Sequence, residues 1–148
     1  TTALDVTVQA GILRLIKNLQ QNYKMGLIFV THDLSVARII SERLLVMYSG
    51  RVMEQGPVDE VFSKPMHPYS RALLESHPNN VNNWRNLQPI AGKPPENTEK
   101  IKGCCFHPRC PYVKDVCRFV EPELILLNKG HTCRCHFPGI SNFTVVES

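Results

Sequence analysis

His32 stands where a parallel α/β sheet would carry its chemistry. Leu27 to Val30 form a short apolar run rich in β-branched and aromatic side chains, which is typical of a strand buried on both faces. The chain turns polar directly afterwards, at Thr31, His32 and Asp33. Because ligands of open α/β sheets bind just beyond the carboxyl ends of the strands, His32 is a candidate catalytic residue. The alternative is that Thr31 and Asp33 cap the next helix and His32 is a bystander.

Six cysteines form the second group with chemical potential. All of them lie in the last third of the chain, at Cys104, Cys105, Cys110, Cys117, Cys133 and Cys135. Their spacing lacks the paired C-x₂₋₄-C knuckles of zinc ribbons, whereas iron–sulfur clusters need four thiolates and accept more varied spacing. The segment follows a cysteine-free half without a secretion signal, which favours metal or cluster binding over native disulfides. A cluster, zinc, disulfides formed in air and free thiols all stay open on spacing alone.

Composition places limits on the function. The chain has 148 residues, 43% of them hydrophobic, with a net charge of +4 and no long basic run, which argues against a dedicated nucleic-acid surface. No apolar run reaches the roughly 18 residues of a membrane-spanning helix. The first residue is Thr rather than Met, so we expect a piece of a longer protein.

Helices and strands must position both groups. Apolar residues at helical spacing before this run predict a first helix, which begins near Asp5 or Thr7 and ends at Gly26. The apolar stripe consists of Val8, Ile12, Leu15, Ile16 and Leu19. Later patterns predict a hairpin turning at Ser49-Gly50, and a helix start rather than a ligand site at His67-Pro68-Tyr69. The expected elements are a strand at 27–30, helices at 34–41, 58–62 and 68–76, and strands at 43–48 and 51–55.

Several short segments together resemble the ATP-binding cassette (ABC) ATPases. These are Thr1-Thr2-Ala3-Leu4-Asp5, then Ile28-Phe29-Val30-Thr31-His32-Asp33, and the hairpin with Asp59-Glu60-Val61-Phe62 after it. A narrower resemblance is to the ATP-binding subunits of dipeptide, oligopeptide and nickel importers, carried by His67 to Leu74, Pro89 to Pro95 and Phe106 to Pro111. The implied fold is α/β: the C-terminal half of a P-loop (ABC-type) nucleotide-binding domain with a small Cys-rich, loop-rich appendage. The expected organisation is an ATPase portion over residues 1–76, a linker or arm over 77–102, a Cys-rich segment over 103–138 and a tail over 139–148.

The resemblance implies an ATPase that uses Mg²⁺ and powers uptake of peptides or nickel. His32 would be the switch histidine that contacts the γ-phosphate, and the D-loop residues Ala3, Leu4 and Asp5 would reach across a head-to-tail dimer. The phosphate-binding signature G-x-x-x-x-G-K-[ST] is not found in the sequence, so the chain by itself is expected to be inactive.

The resemblance also implies partners, a location and a cofactor. The partners would be a second ATP-binding subunit, the transmembrane permease subunits and, indirectly, an external solute-binding protein, at the cytoplasmic face of the membrane. Some members of the family carry a [4Fe–4S] cluster on cysteines that match Cys104, Cys110, Cys117 and Cys135, with Cys105 and Cys133 as substitutes and zinc as the alternative metal. An exposed sheet edge predicts that the chain self-associates. The competing hypothesis is a stand-alone metal-binding interaction module on an α/β platform.

Overall fold

The computed structural model describes residues 6–77, 89–95, 101–128 and 130–140. The chain divides into two compact units, residues 1–41 and 42–148. The first unit holds α1 (Val6–Tyr23) and α2 (Leu34–Ile40). The second holds β1 (Arg43–Tyr48), β2 (Arg51–Pro57), α3 (Val58–Ser63), α4 (Pro68–Glu75), α5 (Asp115–Phe119), β3 (Ile125–Asn128) and β4 (His131–Cys133). Among the described residues, no helix is both long enough and apolar enough to cross a membrane.

The first helix ends earlier than its sequence predicts. Lys24, not Gly26, adopts the left-handed conformation after α1, with φ 51°. The N–H of Met25 donates to the carbonyl of Gln20 at 3.3 Å, which closes the six-residue pattern of a Schellman cap. The prediction that Gly26 terminates the helix is therefore wrong, because the chain turns two residues before the glycine.

The predicted buried strand from Leu27 to Val30 is also not formed. Residues 25–31 have no regular structure, and the side chains of Ile28 and Val30 are 94% and 92% exposed. A parallel strand exists only through hydrogen bonds to neighbouring strands, and none of the described strands pairs with this segment. An apolar run without a pairing partner has no reason to adopt the extended, buried state that its composition favours.

The second unit is built on one antiparallel sheet with the strand order β1-β2-β4-β3. Strands β1 and β2 form the predicted hairpin, and Ser49 and Gly50 both have positive φ, 47° and 75°, as a type I′ turn requires. Strand β4 then pairs with β2 through Glu54 opposite Cys133. The sheet thus joins the hairpin to the cysteine-bearing segment nearly eighty residues later in the sequence.

An aromatic core fastens the cysteine-bearing segment to one side of this sheet. The Phe106 ring is fully buried and lies 5.4 Å from the ring of Tyr48 and 5.3 Å from that of Tyr69. Tyr69 belongs to α4, which starts at Pro68 as predicted. The remaining predicted helices and the two hairpin strands are likewise confirmed.

Candidate functional site

His32 lies in the turn that leads into α2 in the first unit. The Oδ1 atom of Asp33 accepts hydrogen bonds from the N–H groups of Ser35 at 2.9 Å and Val36 at 3.3 Å, so Asp33 is the N-cap. The hydroxyl of Thr31 accepts from the N–H of Asp33 at 3.0 Å. The capping interpretation is confirmed, and it leaves the His32 side chain exposed between two fixed neighbours. The catalytic role of His32 stays a prediction, and Ala3, Leu4 and Asp5 lie outside the described residues.

The second unit contains a cavity whose wall includes four of the six cysteines. Cys104, Cys110, Cys117 and Cys135 all line it, together with His67 and several apolar side chains, Phe106, Phe137 and Ile140 among them. The cavity has a volume of about 20 Å³, room for about one water molecule, and it is partly open to solvent. These are the four cysteines that the family resemblance selects.

The backbone brings the four cysteines together from separate elements. The N–H of Cys104 donates to the carbonyl of Cys117 in α5 at 2.9 Å. Gly103 makes this approach possible: its φ is +70°, and a Cβ atom there would lie 2.4 Å from the same carbonyl. Cys110 ends a single 3₁₀ turn, His107–Arg109, and Cys135 follows β4, which is tied to β2 by the bond from Arg134 N–H to the carbonyl of Met53 at 2.7 Å.

Burial raises the pKa of three of the four thiols, those of Cys104, Cys110 and Cys135. Desolvation raises the pKa of Cys110 to about 11 and that of Cys135 to about 12, and repulsion from the other thiolates adds to both shifts. The pKa of Cys104 is raised for the same reasons, although backbone N–H groups of Phe106 and His107 partly offset the effect. A cation in the cavity would reverse this electrostatic cost, because metal ligation requires thiolates and releases their protons.

The other two cysteines point into the protein core and do not line the cavity. The Sγ atom of Cys105 lies 3.6 Å from the Sδ atom of Met53 and 3.8 Å from the carbonyl of Tyr48. Cys133 is fully buried in β4, and its pKa is raised by desolvation and by the Glu54 carboxylate. Cys104 and Cys117 are buried as well, so it is the absence of Cys105 and Cys133 from the cavity wall that distinguishes them from the other four.

The residues that line the cavity match a thiolate-bound group in chemical type but not in arrangement. Four Cys side chains in an apolar wall are the usual donor set of an iron–sulfur cluster, and the same set is found at structural zinc. Within residues 6–77, 89–95, 101–128 and 130–140, no three Cys, His, Asp or Glu side chains are arranged to hold a metal ion.

Glu54 is a structural centre that the sequence did not reveal. The carboxylate is fully buried in β2 and accepts hydrogen bonds from the N–H groups of Met66 at 2.8 Å and His67 at 3.0 Å. It also accepts from the Nε2 atom of His131 in β4 at 2.7 Å. One side chain thereby ties β2 to β4 and to the start of α4. The sequence offered one signal, a charged residue within a predicted strand. A single Glu in a hairpin strand is too common to identify a buried hydrogen-bonding centre.

Residues 53–117 match the family described as the C-terminal region of oligopeptide/dipeptide transporters. The matched range contains His67 and three of the cavity cysteines, Cys104, Cys110 and Cys117. It begins inside β2 and ends inside α5. The matched range therefore includes Tyr69 and Phe106 of the aromatic core and most of the residues that line the cysteine cavity.

The chain is also similar over most of its length to curated proteins. It is 41% identical over 138 residues to the dipeptide transport ATP-binding protein DppD of Escherichia coli (strain K12), which covers 93% of this chain and 42% of that protein. It is 44% identical over 141 residues to a putative peptide import ATP-binding protein of Brucella melitensis biotype 1, covering 91% and 42%. The chain thus spans about two fifths of the length of these relatives.

Proposed function

We propose that the chain is part of an ATP-binding subunit that powers peptide uptake, a proposal that starts from the match of residues 53–117 to the C-terminal region family of oligopeptide/dipeptide transporters. The observation that carries the proposal is the similarity over 93% of the chain to a protein named for dipeptide transport and ATP binding. The mixed helix and strand content with its antiparallel sheet is consistent with the C-terminal part of an ABC ATPase domain. Uptake of nickel rather than peptides is the narrower alternative that the sequence resemblance left open.

In this proposal His32 contacts the γ-phosphate of ATP bound with Mg²⁺. The position supports it: the side chain is exposed, and the hydrogen bonds of Thr31 and Asp33 fix the backbone on either side. A neutral imidazole can donate from one nitrogen and accept at the other, which suits a group that orients water against a phosphate. Because phosphoryl transfer depends on positioning and charge stabilisation, the rigid turn is as important as the ring.

Replacing His32 with Ala in the full-length subunit tests this role. We expect ATP binding to stay close to wild type while hydrolysis falls by about 10²–10³, the loss typical of one positioned transition-state contact. Lys17→Ala, an exposed change on α1, is the matched control and should hydrolyse ATP normally. Hydrolysis by His32→Ala at the wild-type rate would refute the switch assignment.

The partners follow from the same proposal. Asp5, with Ala3 and Leu4, would contact the nucleotide bound to a second ATP-binding subunit in a head-to-tail dimer. The dimer would act on transmembrane permease subunits at the cytoplasmic face of the membrane, with an external solute-binding protein delivering the cargo. The chain alone is proposed to self-associate, since Ile28 and Val30 expose apolar surface that a second copy can cover.

We further propose that Cys104, Cys110, Cys117 and Cys135 hold a [4Fe–4S] cluster, with zinc as the alternative. The support is their shared cavity and its apolar wall. Binding of such a group would stabilise the folded state of a segment with few apolar residues, because its binding free energy contributes to the free energy of folding. Cys105 and Cys133, named as substitutes from the sequence, are poorer candidates because neither lines the cavity.

Anaerobic metal analysis of the chain tests the cluster. We expect about four irons with matching sulfide, in keeping with the four thiolates that such a cluster needs. Cys117→Ser should abolish binding, and Cys105→Ser is the control that should retain it. If the chain contains stoichiometric zinc and no iron, the cluster is refuted and zinc takes its place. If Cys117→Ser and Cys105→Ser lose metal equally, the distinction between the cysteines that line the cavity and the two that do not is refuted.

A further inference from the structure

Cys104 and Cys117 are held next to each other by a direct backbone contact. The N–H of Cys104 donates to the carbonyl of Cys117 at 2.9 Å. A backbone hydrogen bond of this kind leaves the two Cα atoms roughly 5–6 Å apart, as in the hydrogen-bonded pairs of an antiparallel ladder. This separation falls within the range of about 4.4–6.8 Å that a disulfide bridges without backbone movement.

The side chains of the two cysteines also point toward a common space. Both line the same cavity, and each residue is only 8% exposed. Burial is the main cause of the raised pKa of Cys104, and the charge of a Cys117 thiolate adds to it, so the two sulfur atoms lie within electrostatic reach of each other. Convergent side chains are the second geometric requirement of a disulfide.

The segment between the two cysteines is fixed by its own hydrogen bonds. At its start, the N–H of His107 donates to the carbonyl of Cys104 at 2.9 Å. At its end, the N–H of Cys117 donates to the carbonyl of Lys114 at 2.9 Å. Because these turns already hold the ends of the loop together, closing the loop with a covalent bond requires little further ordering of the folded chain.

The size of the cavity indicates which oxidant can reach these thiols. Its volume of about 20 Å³ has room for about one water molecule, and it is partly open to solvent. Hydrogen peroxide is only slightly larger than water, whereas oxidised glutathione is a pair of linked tripeptides and does not fit. The thiol pair is therefore accessible to a small hydroperoxide and protected from bulky disulfides.

We propose that Cys104 and Cys117 are a peroxide-sensitive pair, which forms a disulfide when the metal-free chain meets hydrogen peroxide. One of the two thiolates attacks the peroxide: an S–O bond forms, the O–O bond breaks, and the hydroxide that leaves takes up the proton of that thiol to give water. The other thiol then attacks the sulfenic sulfur: the S–S bond forms, the S–O bond breaks, and a second water leaves with the remaining thiol proton. Two thiols thus lose two electrons, which reduce one peroxide to two waters.

The disulfide changes what the cavity can bind. It removes two of the four thiols from the wall, so the oxidised chain lacks the four thiolates that an iron–sulfur cluster needs. A thiol reductant restores both cysteines by exchange. The inference does not rest on the cluster proposed above, because it concerns the chain without metal, and metal analysis and the oxidation test can each fail without the other.

The test is oxidation of the full chain, freed of metal with a chelator and a reductant, by one equivalent of hydrogen peroxide. Titration of the denatured product with a thiol reagent should show that the free thiols have fallen by two, from six to four per chain. Tryptic digestion separates the sites, since Cys117 lies in peptide 115–118, Cys110 in peptide 110–114, and Cys104 in peptide 103–109. We expect mass spectrometry to find peptide 115–118 linked to peptide 103–109.

Matched variants assign the bond to its two cysteines. Cys105→Ser removes the other cysteine of peptide 103–109, which does not line the cavity, and should retain the link. Cys110→Ser removes a cysteine that does line the cavity and should also retain it, whereas Cys117→Ser should abolish it. Oxidised wild-type chain should unfold at a higher urea concentration than reduced chain, because a disulfide constrains the unfolded state, and Cys117→Ser should show no such shift.

Each outcome decides for or against the pair. A link between peptides 103–109 and 115–118 that persists in Cys105→Ser supports the proposal. Six free thiols after peroxide treatment, or a dominant link to Cys110 or Cys135, overturns it. An equal yield of the link in chain denatured before oxidation also overturns it, since the fold would then not align the pair. If the variants do not fold, fragmentation of the linked wild-type peptides distinguishes Cys104 from Cys105 and gives the same decision.

Discussion

In the first unit, residues 1–41, the apolar stripe of α1 is open to solvent, with Leu15 58% exposed, and the loop after it exposes Ile28 and Val30 almost completely. In the second unit, residues 42–148, the large side chains of Met53 and Phe106 are fully buried. The same kinds of residue are thus used in opposite ways. The difference is whether other segments of the same unit pack over these apolar side chains.

The polar groups repeat this contrast. The second unit buries a carboxylate, Glu54, and satisfies it with three donors from two other segments. The first unit relies on local bonds within a few residues, such as those of the Asp33 cap. We infer that the second unit carries most of the stability of the chain, since long-range burial contributes far more than local helix formation.

We expect Gly103→Ala to cause the largest loss in the free energy of unfolding of the second unit. The new Cβ would overlap the Cys117 carbonyl, which lies 2.4 Å away, at a φ of +70°. We expect a loss of about 4 kcal/mol or more in the free energy of unfolding, the range reserved for strain and overpacking in a core, together with loss of iron binding. Urea denaturation measures the first effect.

The control for this prediction is Gly50→Ala in the hairpin turn. Gly50 has a similar φ of +75° but open space around it, so it reports the backbone strain without the collision. We expect a cost of about 1–2 kcal/mol for the left-handed conformation alone. Equal losses in the two variants would contradict a steric role for the approach of Cys104 to Cys117.

Glu54→Gln tests the buried polar centre of the second unit. The NH₂ group of the amide would face either the N–H of His67, which bonds one carboxylate oxygen, or the N–H of Met66 and the Nε2 atom of His131, which bond the other. Either arrangement leaves buried donors facing each other, so we expect a loss of about 3 kcal/mol, the upper range for an unsatisfied buried polar group. Glu123→Gln, an exposed change in the same unit, should stay within about 0.5 kcal/mol of wild type. A small loss for Glu54→Gln by urea denaturation would mean that the carboxylate is dispensable.

Ile28→Lys probes the uncovered surface of the first unit. If a second copy covers this residue, the charge should weaken self-association by about 2 kcal/mol, the contribution of one buried aliphatic side chain. Leu126→Lys, on an exposed residue of β3, is the control in the second unit and should change association little. Light scattering over a concentration series gives the answer, and a wild-type chain that stays monomeric at high concentration would contradict self-association.

Gly11→Ala should have the smallest effect and the opposite sign. Gly11 lies inside α1 with nothing within 4 Å of a built Cβ, so the methyl group should stabilise the helix by about 0.5–1 kcal/mol. Gly56→Ala in β2 is its counterpart and should destabilise the second unit, because its Cβ would meet the His131 ring at 3.0 Å. Hydrogen exchange resolves the two units, and for Gly11→Ala slower exchange in α1 without change in β2 is the expected result.

Most local elements of this protein were readable from its sequence. The turn at Ser49-Gly50, the helix start at Pro68 and the cap at Asp33 each depend on the φ preference or hydrogen bonding of a few adjacent residues. The resemblance to peptide importers was readable as well, since short ordered motifs carry it. Residue type was also sufficient to single out the cysteines as a candidate site.

The sequence did not show which of these residues act together, and only the folded structure did. None of the described strands pairs with Leu27 to Val30, three donors surround Glu54, and four of the six cysteines line a cavity that Cys105 and Cys133 do not reach. Each outcome depends on segments far apart in the sequence, such as β2 and β4 pairing through Glu54 and Cys133. Pairing and burial are properties of neighbours in space, and the spacing of residues along a chain does not specify which neighbours those will be.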